Sequence, residues 1–249
     1  MYKKLIKKYP EYTKTSSIYN LENYSFSFIR NEKIFNSIID NISKCDAKFV
    51  VIAPKNPHIN LYLDNIIFEC IDYPNYVFTM IHNILNKDKE PFENYTGSNC
   101  KIHKTTVLDV EGIHIAKSPE GIPIQMKHMG NVVICDNVEI LAFSTIQRAI
   151  FGSTIISDNV KIDSHVNIGH NSYIGENTVI TLGSIIGGSC QIGNNCMIGL
   201  GSIIKNGTSI CDNVIIGQGS NVVSDIEKPG LYIGNPARFH KEYDKNWNF

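Results

Sequence analysis

The stretch Ile162-Asp163-Ser164-His165-Val166-Asn167-Ile168-Gly169-His170-Asn171-Ser172-Tyr173-Ile174-Gly175-Glu176-Asn177-Thr178-Val179-Ile180 decides the fold. Its isoleucines stand six apart. The spacing runs unbroken from Ile156 through Ile162, Ile168, Ile174, Ile180, Ile186, Ile192, Ile198, Ile204, Ile210 and Ile216 to Val222. No helix has this period, and strand alternation alone does not produce it. A fixed hexad marks a parallel β-helix, a solenoid of short strands. Each hexad lays one flat side, and three hexads close one triangular turn. Residues eighteen apart then stack at roughly 4.8 Å. The fourth residue after each aliphatic is small or apolar too, from Val160 and Val166 through Ser172, Thr178, Ser184, Cys190, Cys196 and Ser202 to Thr208, Val214, Ser220 and Ile226. These are the second inward positions of a narrow, filled prism. Such a prism is a rail, so function must be sought in polar residues that break the repeat.

Upstream the repeat is interrupted. Ile102 and Leu108 start the period, which lapses from Asp109 to about Val132. Gly112, Pro119, Gly121 and Pro123 in that stretch suggest a long loop leaving the coil, and loops of such length are usually functional or mobile. The period resumes at Ile134, Ile140 and Ile146. The step to Ile156 is ten residues, so four extra residues sit around Arg148 to Ser153. Residues 1–95 have another texture. Tyr24 to Phe28 alternates like a strand, Glu32 to Ile42 has helical spacing, and Lys48 to Ala53 and Asn65 to Ile71 read as buried strands. Pro74 opens a helix with Val77, Phe78, Ile81 and Leu85 on one face. A small α/β domain over 1–95 is expected, a linker over Asn86 to Asn99, a β-helix over 100–230 and a C-terminal cap over 231–249. Lys228-Pro229-Gly230 would end the coil, with Trp247 and Phe249 covering its last turn.

The 249 residues carry a formal net charge of -1, which gives no support for a nucleic-acid-coating protein. No apolar run reaches the length that spans a bilayer, and the basic start, Met1 to Lys8, lacks the apolar run of a secretory signal. A cytoplasmic protein is expected. The seven cysteines form no CxxC pair. Cys190, Cys196, Cys135 and Cys211 fall on the coil lattice and read as small reduced packing residues, not as disulfides or metal ligands. The recurrent glycines, Gly169, Gly175, Gly187, Gly193, Gly199 and Gly217, read as corner residues, and no phosphate-loop motif occurs.

His165 and His170 lie on the regular rail at positions that should point outward. A held imidazole suits general-base work. Gly188 stacks above His170 on the next coil. A glycine there should leave room for a thin ligand, and its N–H could donate to a developing oxyanion. A base beside an oxyanion donor is the minimum for acyl transfer from a thioester. The bland alternative is that a histidine on a repeat is polar filler. His103, His114 and His128 lie in or near the irregular stretch, where they could contact a ligand but read first as loop residues, and His58, His82 and His240 carry no pattern. No histidine pair has metal-ligand spacing.

These hexads resemble the hexapeptide-repeat acyltransferases, which implies a left-handed parallel β-helix and a homotrimer. Gly130 to Ile140, Ser144 to Arg148, Lys161 to Asp163 and Ile168-Gly169-His170-Asn171 are similar to the UDP-3-O-acylglucosamine N-acyltransferases of lipid A synthesis. Gly112-Ile113-His114-Ile115-Ala116 looks like a degraded Gly-Phe-Gly loop. Phe28-Ile29-Arg30-Asn31 and Asp72 to Tyr76 resemble motifs of that family's uridine-binding domain, so the α/β domain is expected to bind a nucleotide. The resemblance makes His170 the base and Gly188 the oxyanion glycine, with Phe28 and Asn31 on the nucleotide base. Asp163, Ser164, His165 and Asn171 would line the substrate.

The chain also departs from the family. Ser164 replaces an asparagine, Ile34 stands where a uracil-stacking tyrosine is expected, and a histidine near Gly207 is missing. In place of C-terminal helices that receive acyl carrier protein, Ile233-Gly234-Asn235-Pro236-Ala237-Arg238 resembles the tail of small acetyltransferases. The expectation is therefore transfer of a short acyl group, acetyl above all, from acyl-CoA to the amine of a UDP- or dTDP-linked amino sugar for surface glycan synthesis. No permanently bound cofactor and no metal are implied. Lys205 and Arg238 would meet the CoA phosphates. The alternatives are the lipid A enzyme itself, fed by acyl carrier protein, and a non-catalytic nucleotide-sugar-binding scaffold. O-acylation is a nearer variant, because the same base serves a hydroxyl.

Overall fold

The computed structural model describes residues 2–16, 25–28, 48–54 and 66–242. The chain divides into two compact units. One holds Met1–Glu90 with Ile113–Lys127, the other Pro91–Gly112 with His128–Phe249.

The second unit is a parallel β-helix. Its strands form three sheets of six, eight and six members among the described residues. Ile156 pairs with Ile174, Ile174 with Ile192 and Ile192 with Ile210, so each coil takes eighteen residues. All twelve hexad aliphatics are buried to 3% exposure or less, and the second inward set to 6% or less. Both inward positions expected from the period are therefore core. The small polar members of the second set are satisfied in one repeated way. Ser172 Oγ donates to Gly187 O at 2.9 Å, Thr178 Oγ1 to Gly193 O at 2.9 Å, Ser184 Oγ to Gly199 O at 3.0 Å, and Cys190 and Cys196 Sγ reach Lys205 O and Cys211 O at 3.3 Å. Each of these buried groups is tolerated because a carbonyl of the next coil faces it.

The corner assignment needs correction. Positive φ falls three residues after each aliphatic, at Asn159, His165, Asn171, Asn177, Gly183, Ser189, Asn195 and Gly201. Asparagine and glycine recur there because they tolerate the left-handed region best. The glycines directly after the aliphatic have a different cause. A Cβ on Gly169 would lie 2.4 Å from Gly188 N, and one on Gly175 2.5 Å from Gly193 C. They are close-approach residues between coils.

The interruptions are equally definite. Ile134 pairs with Ile156 and Ile146 with Ile168, which is one coil plus four residues. Leu108 pairs with Ile146, which is one coil plus twenty. The stretch read as linker already contributes a strand, because Tyr95–Thr96 pairs with Val133–Ile134. At the other end Gly230–Ile233 still pairs in parallel with Val214–Ile216, past the expected stop, and Arg238–Lys241 folds back antiparallel on it. Trp247 and Phe249 lie outside the described residues.

Among the described residues the first unit has a four-stranded parallel sheet in the order Lys14–Thr15, Ser25–Phe28, Phe49–Pro54, Ile66–Ile71. Helices Tyr2–Lys8 and Pro74–Leu85 accompany it. The second buries Val77, Phe78 and Ile81, the face expected from its spacing, and also Thr79 and His82. The helix expected over 32–42 lies outside the described residues. The supposed loop leaving the coil is not structureless. Ile115–Lys117 and Pro123–Gln125 form an antiparallel hairpin that belongs to this unit. Asn83 Nδ2 donates to Gln125 O at 2.8 Å, and Lys127 N donates to Asn83 Oδ1 at 2.9 Å. Backbone bonds that a bare loop would leave to water are made to this hairpin and helix.

No helix among the described residues is long and apolar enough to cross a membrane. Cys70, Cys100, Cys135, Cys190, Cys196 and Cys211 are free thiols. Burial raises the Cys196 thiol to about 12 and also raises Cys190, which makes both poor nucleophiles.

Candidate functional site

His170 follows Gly169 at a corner of the coil, and its ring is half-buried, not free in solvent as its lattice position suggested. Its Nδ1 lies 3.2 Å from Asn171 Oδ1. The orientation of that amide is fixed by two other bonds. Asn171 Nδ2 donates to Phe151 O at 2.7 Å, and Ile150 N donates to Asn171 Oδ1 at 2.8 Å. An oxygen therefore faces His170, so a neutral imidazole carries its proton on Nδ1 and its lone pair on Nε2. Burial lowers the His170 pKa from the ordinary value, opposed by the bond to Asn171. The ring is thus neutral near pH 7, as a base requires.

Nε2 meets Gly188. A Cβ on Gly188 would lie 2.8 Å from Nε2. The gap expected to admit a thin ligand is filled by the imidazole itself. The Gly188 N–H has no acceptor among the described residues, which leaves it open to a substrate oxygen. The coil stacks the two residues through Ser189 N, which donates to His170 O at 2.7 Å.

Both interruptions of the repeat converge on this ring. The four-residue insertion supplies the groups that Asn171 grips. From the excursion, a Cβ on Gly112 would lie 2.9 Å from His170 Cδ2, and His128 stacks edge-on to the ring at 5.1 Å between centroids. Gln147 Oε1 accepts the His170 N–H at 3.2 Å. Next to it, Arg148 donates to Asp109 O through Nε and Nη2 at 2.9 and 2.6 Å and pairs with Asp109 Oδ1 at 3.1 Å. That clasp fixes the corner where the chain leaves the coil, with Asp109 at φ 67°.

Among the other expected residues, Asn171 sits at the site but spends its amide on backbone and on His170. Asp163 Oδ1 accepts from Ser164 N at 2.6 Å. His165 is exposed and stacks on Phe143 at 5.2 Å. Lys205 is exposed, and Arg238, also exposed, donates to its neighbour Ala237 O at 3.1 Å. The backbone of Phe28 ends a strand of the first unit, while Asn31 lies outside the described residues. Among the described residues no group of three His, Cys, Asp or Glu is placed to hold a metal.

No family model matches the chain. Curated relatives do. The UDP-3-O-acylglucosamine N-acyltransferase of Helicobacter hepaticus is 45% identical over 78 residues, 31% of this chain and 24% of that protein. The enzyme of that name from Shewanella denitrificans is 44% identical over 138 residues, 55% of this chain and 40% of that protein. The matches thus span less than half the length of these relatives. Among solved structures, UDP-N-acetylglucosamine O-acyltransferase from Moraxella catarrhalis superposes with a TM-score of 0.52 at 21% identity, covering 63% of this chain and 61% of its own. An Arabidopsis UDP-N-acetylglucosamine acyltransferase gives 0.53 at 23%, covering 62% and 52%.

This chain resembles the hexapeptide-repeat acyltransferases. The structural likeness speaks for the β-helix, and the sequence likeness is to proteins named UDP-3-O-acylglucosamine N-acyltransferase. Three residues around His170 had been given no role of their own from sequence: Gly112 and His128 at the imidazole, and Gln147 at the backbone N–H. Gly112 and Gln147 stood in stretches that resemble the family, and His128 stood where the period fails.

Proposed function

We propose that the chain is an N-acyltransferase of UDP-linked amino sugars, and that its acceptor is a UDP-3-O-acylglucosamine or a close analogue. The relatives' names support this acceptor over the acetyl-CoA-dependent reaction placed first from sequence. The observation that carries the chemistry is His170, with Nδ1 held by Asn171 and Nε2 against Gly188. In this reading Nε2 takes a proton from the sugar amine as its nitrogen attacks the thioester carbonyl. The Gly188 N–H steadies the tetrahedral oxyanion. The C–S bond then breaks, and the proton leaves with the thiol. The nucleotide docks on the first unit through Phe28 and Asn31.

The donor is an acyl thioester, with acyl carrier protein its carrier in the first reading. Acyl-CoA is the second, supported by the acetyltransferase-like Ile233 to Arg238 stretch, with Lys205 and Arg238 on the phosphates. A homotrimer belongs to both readings and is measured by light scattering.

The test is thiol release and product mass with UDP-3-O-acylglucosamine and acylated carrier protein, beside UDP- and dTDP-amino sugars with acetyl-CoA. Turnover of the first pair is expected. Turnover of only the second pair would restore the short-acyl reading. Binding of nucleotide sugar without any thiol release would leave a scaffold.

A further inference from the structure

We propose that His128 is a positioning residue for His170, whose buried ring packs against the imidazole and keeps Nε2 directed at Gly188. The inference rests on His170 being the base, and it names what holds that base in place.

His128 is fully buried. Its ring lies 5.1 Å from that of His170 at 71° between planes, an edge-to-face contact. The position is fixed by a closed circuit. Met129 N donates to Ile150 O at 3.1 Å, and Gly130 N to Ala149 O at 2.9 Å. Ile150 N donates to Asn171 Oδ1, and that oxygen faces His170 Nδ1. The path therefore runs from His170 through Asn171, the four-residue insertion and Met129 to His128, and back across the ring contact. Glu111 Oε1 accepts the His128 N–H at 3.1 Å. Around the imidazole, among the described residues, Asn171 sets the tautomer, Gly188 and Gly112 supply clearance, and His128 brings a ring. An edge-on ring orients its neighbour by packing against it. It also keeps water off the imidazole, consistent with burial as the main cause of the lowered His170 pKa. The charged groups around this path are Glu111, bonded to the His128 N–H, and Asp109, paired with Arg148.

The test is carbethoxylation of His170 by diethyl pyrocarbonate across pH, read by peptide mass spectrometry on the whole protein, with exposed His103 as reagent standard. The reagent needs an unprotonated imidazole, so the midpoint reports the His170 pKa in place. His128→Ala admits water and should raise the midpoint by about half a pH unit or more. His128→Leu removes the ring at smaller loss of volume and should shift it the same way. His128→Phe keeps the ring and should hold the wild-type midpoint. Where the wild type turns over, His128→Ala should lower kcat about tenfold at little change in KM, and His128→Phe should restore it. A wild-type midpoint in a folded Ala or Leu variant overturns the proposal. So does a shifted midpoint in a folded Phe variant. If the wild type turns over no thioester substrate, the acyl-transfer reading fails, while the carbethoxylation profile still decides the role of His128.

Discussion

At the scale of single residues, the imidazole of His170 is defined by what surrounds each of its atoms. Asn171 Oδ1 accepts a hydrogen bond from Nδ1–H, and Gly188 leaves clearance for Nε2. His170→Ala should therefore cost about 10²–10⁴-fold in kcat and leave the coil melting as before, since the side chain fills no core position. Thiol release and circular dichroism check the two halves of that statement. The wild-type kcat/KM should fall on the acid side as His170 protonates, with a midpoint below the ordinary histidine value because burial disfavours the imidazolium. Gly188→Ala is a sharper case. Its Cβ would come within 2.8 Å of Nε2, and the imidazole tip is the part able to move. The backbone there is not in the left-handed region, so the strain falls on the site. Activity should drop about 10- to 100-fold while the melting temperature stays close to wild type. A near-normal kcat in this variant would mean that the ring works from another rotamer.

At the scale of elements, the coil shows how much a period can tell. Every hexad aliphatic from Ile156 to Val222 is buried where the spacing put it, because a six-residue repeat admits only one inward lattice. The second inward set was equally legible, though not its chemistry. Thr178 is small enough for the prism, but its hydroxyl also donates to Gly193 O and accepts from Cys196 N at 3.1 Å. Thr178→Val keeps the shape and strands both backbone groups. It should destabilise the coil by about 1–3 kcal/mol, measured by urea unfolding. A shift near zero would mean that the repeated hydroxyl ladder is packing alone. The interruptions themselves were legible, but the partners of their residues were not, for a physical reason. A local sequence pattern reports which way a side chain faces within its own element, and Gly112, His128 and Gln147 acquire their neighbours only when coils separated by 38 or 22 residues stack. His170 stood out because it kept the lattice. His128 did not, because it lies where the lattice breaks off.

At the scale of the molecule, the chain leaves the β-helix at Gly112, builds a hairpin in the first unit and returns at His128. Within that unit His82 joins three segments. Its Nε2 reaches Lys127 O at 2.8 Å, and its Nδ1 faces Thr15 Oγ1 at 2.5 Å and Asn86 Nδ2 at 3.2 Å. Both partners of Nδ1 can donate, so the neutral ring accepts there and donates through Nε2. Burial, with the positive charges of Lys127 and Lys89 acting the same way, lowers its pKa to about 4, against the backbone bond to Lys127, which raises it. Between about 4 and 6.5 an opened first unit binds a proton that the folded one refuses. Stability is therefore complete above about 6.5 and falls as pH drops toward the folded value. The full effect is roughly 3 kcal/mol. Hydrogen exchange should show helix Pro74–Leu85 and the hairpin Ile115–Gln125 opening more readily at pH 5 than at pH 7, with coil strands such as Gln191–Ile192 as the reference. His82→Gln cannot take the proton. It should lose stability at pH 7 and flatten the dependence in those same peptides. If wild-type exchange there, corrected for intrinsic rate, is the same at both pH values, His82 is not the group that ties the three segments together.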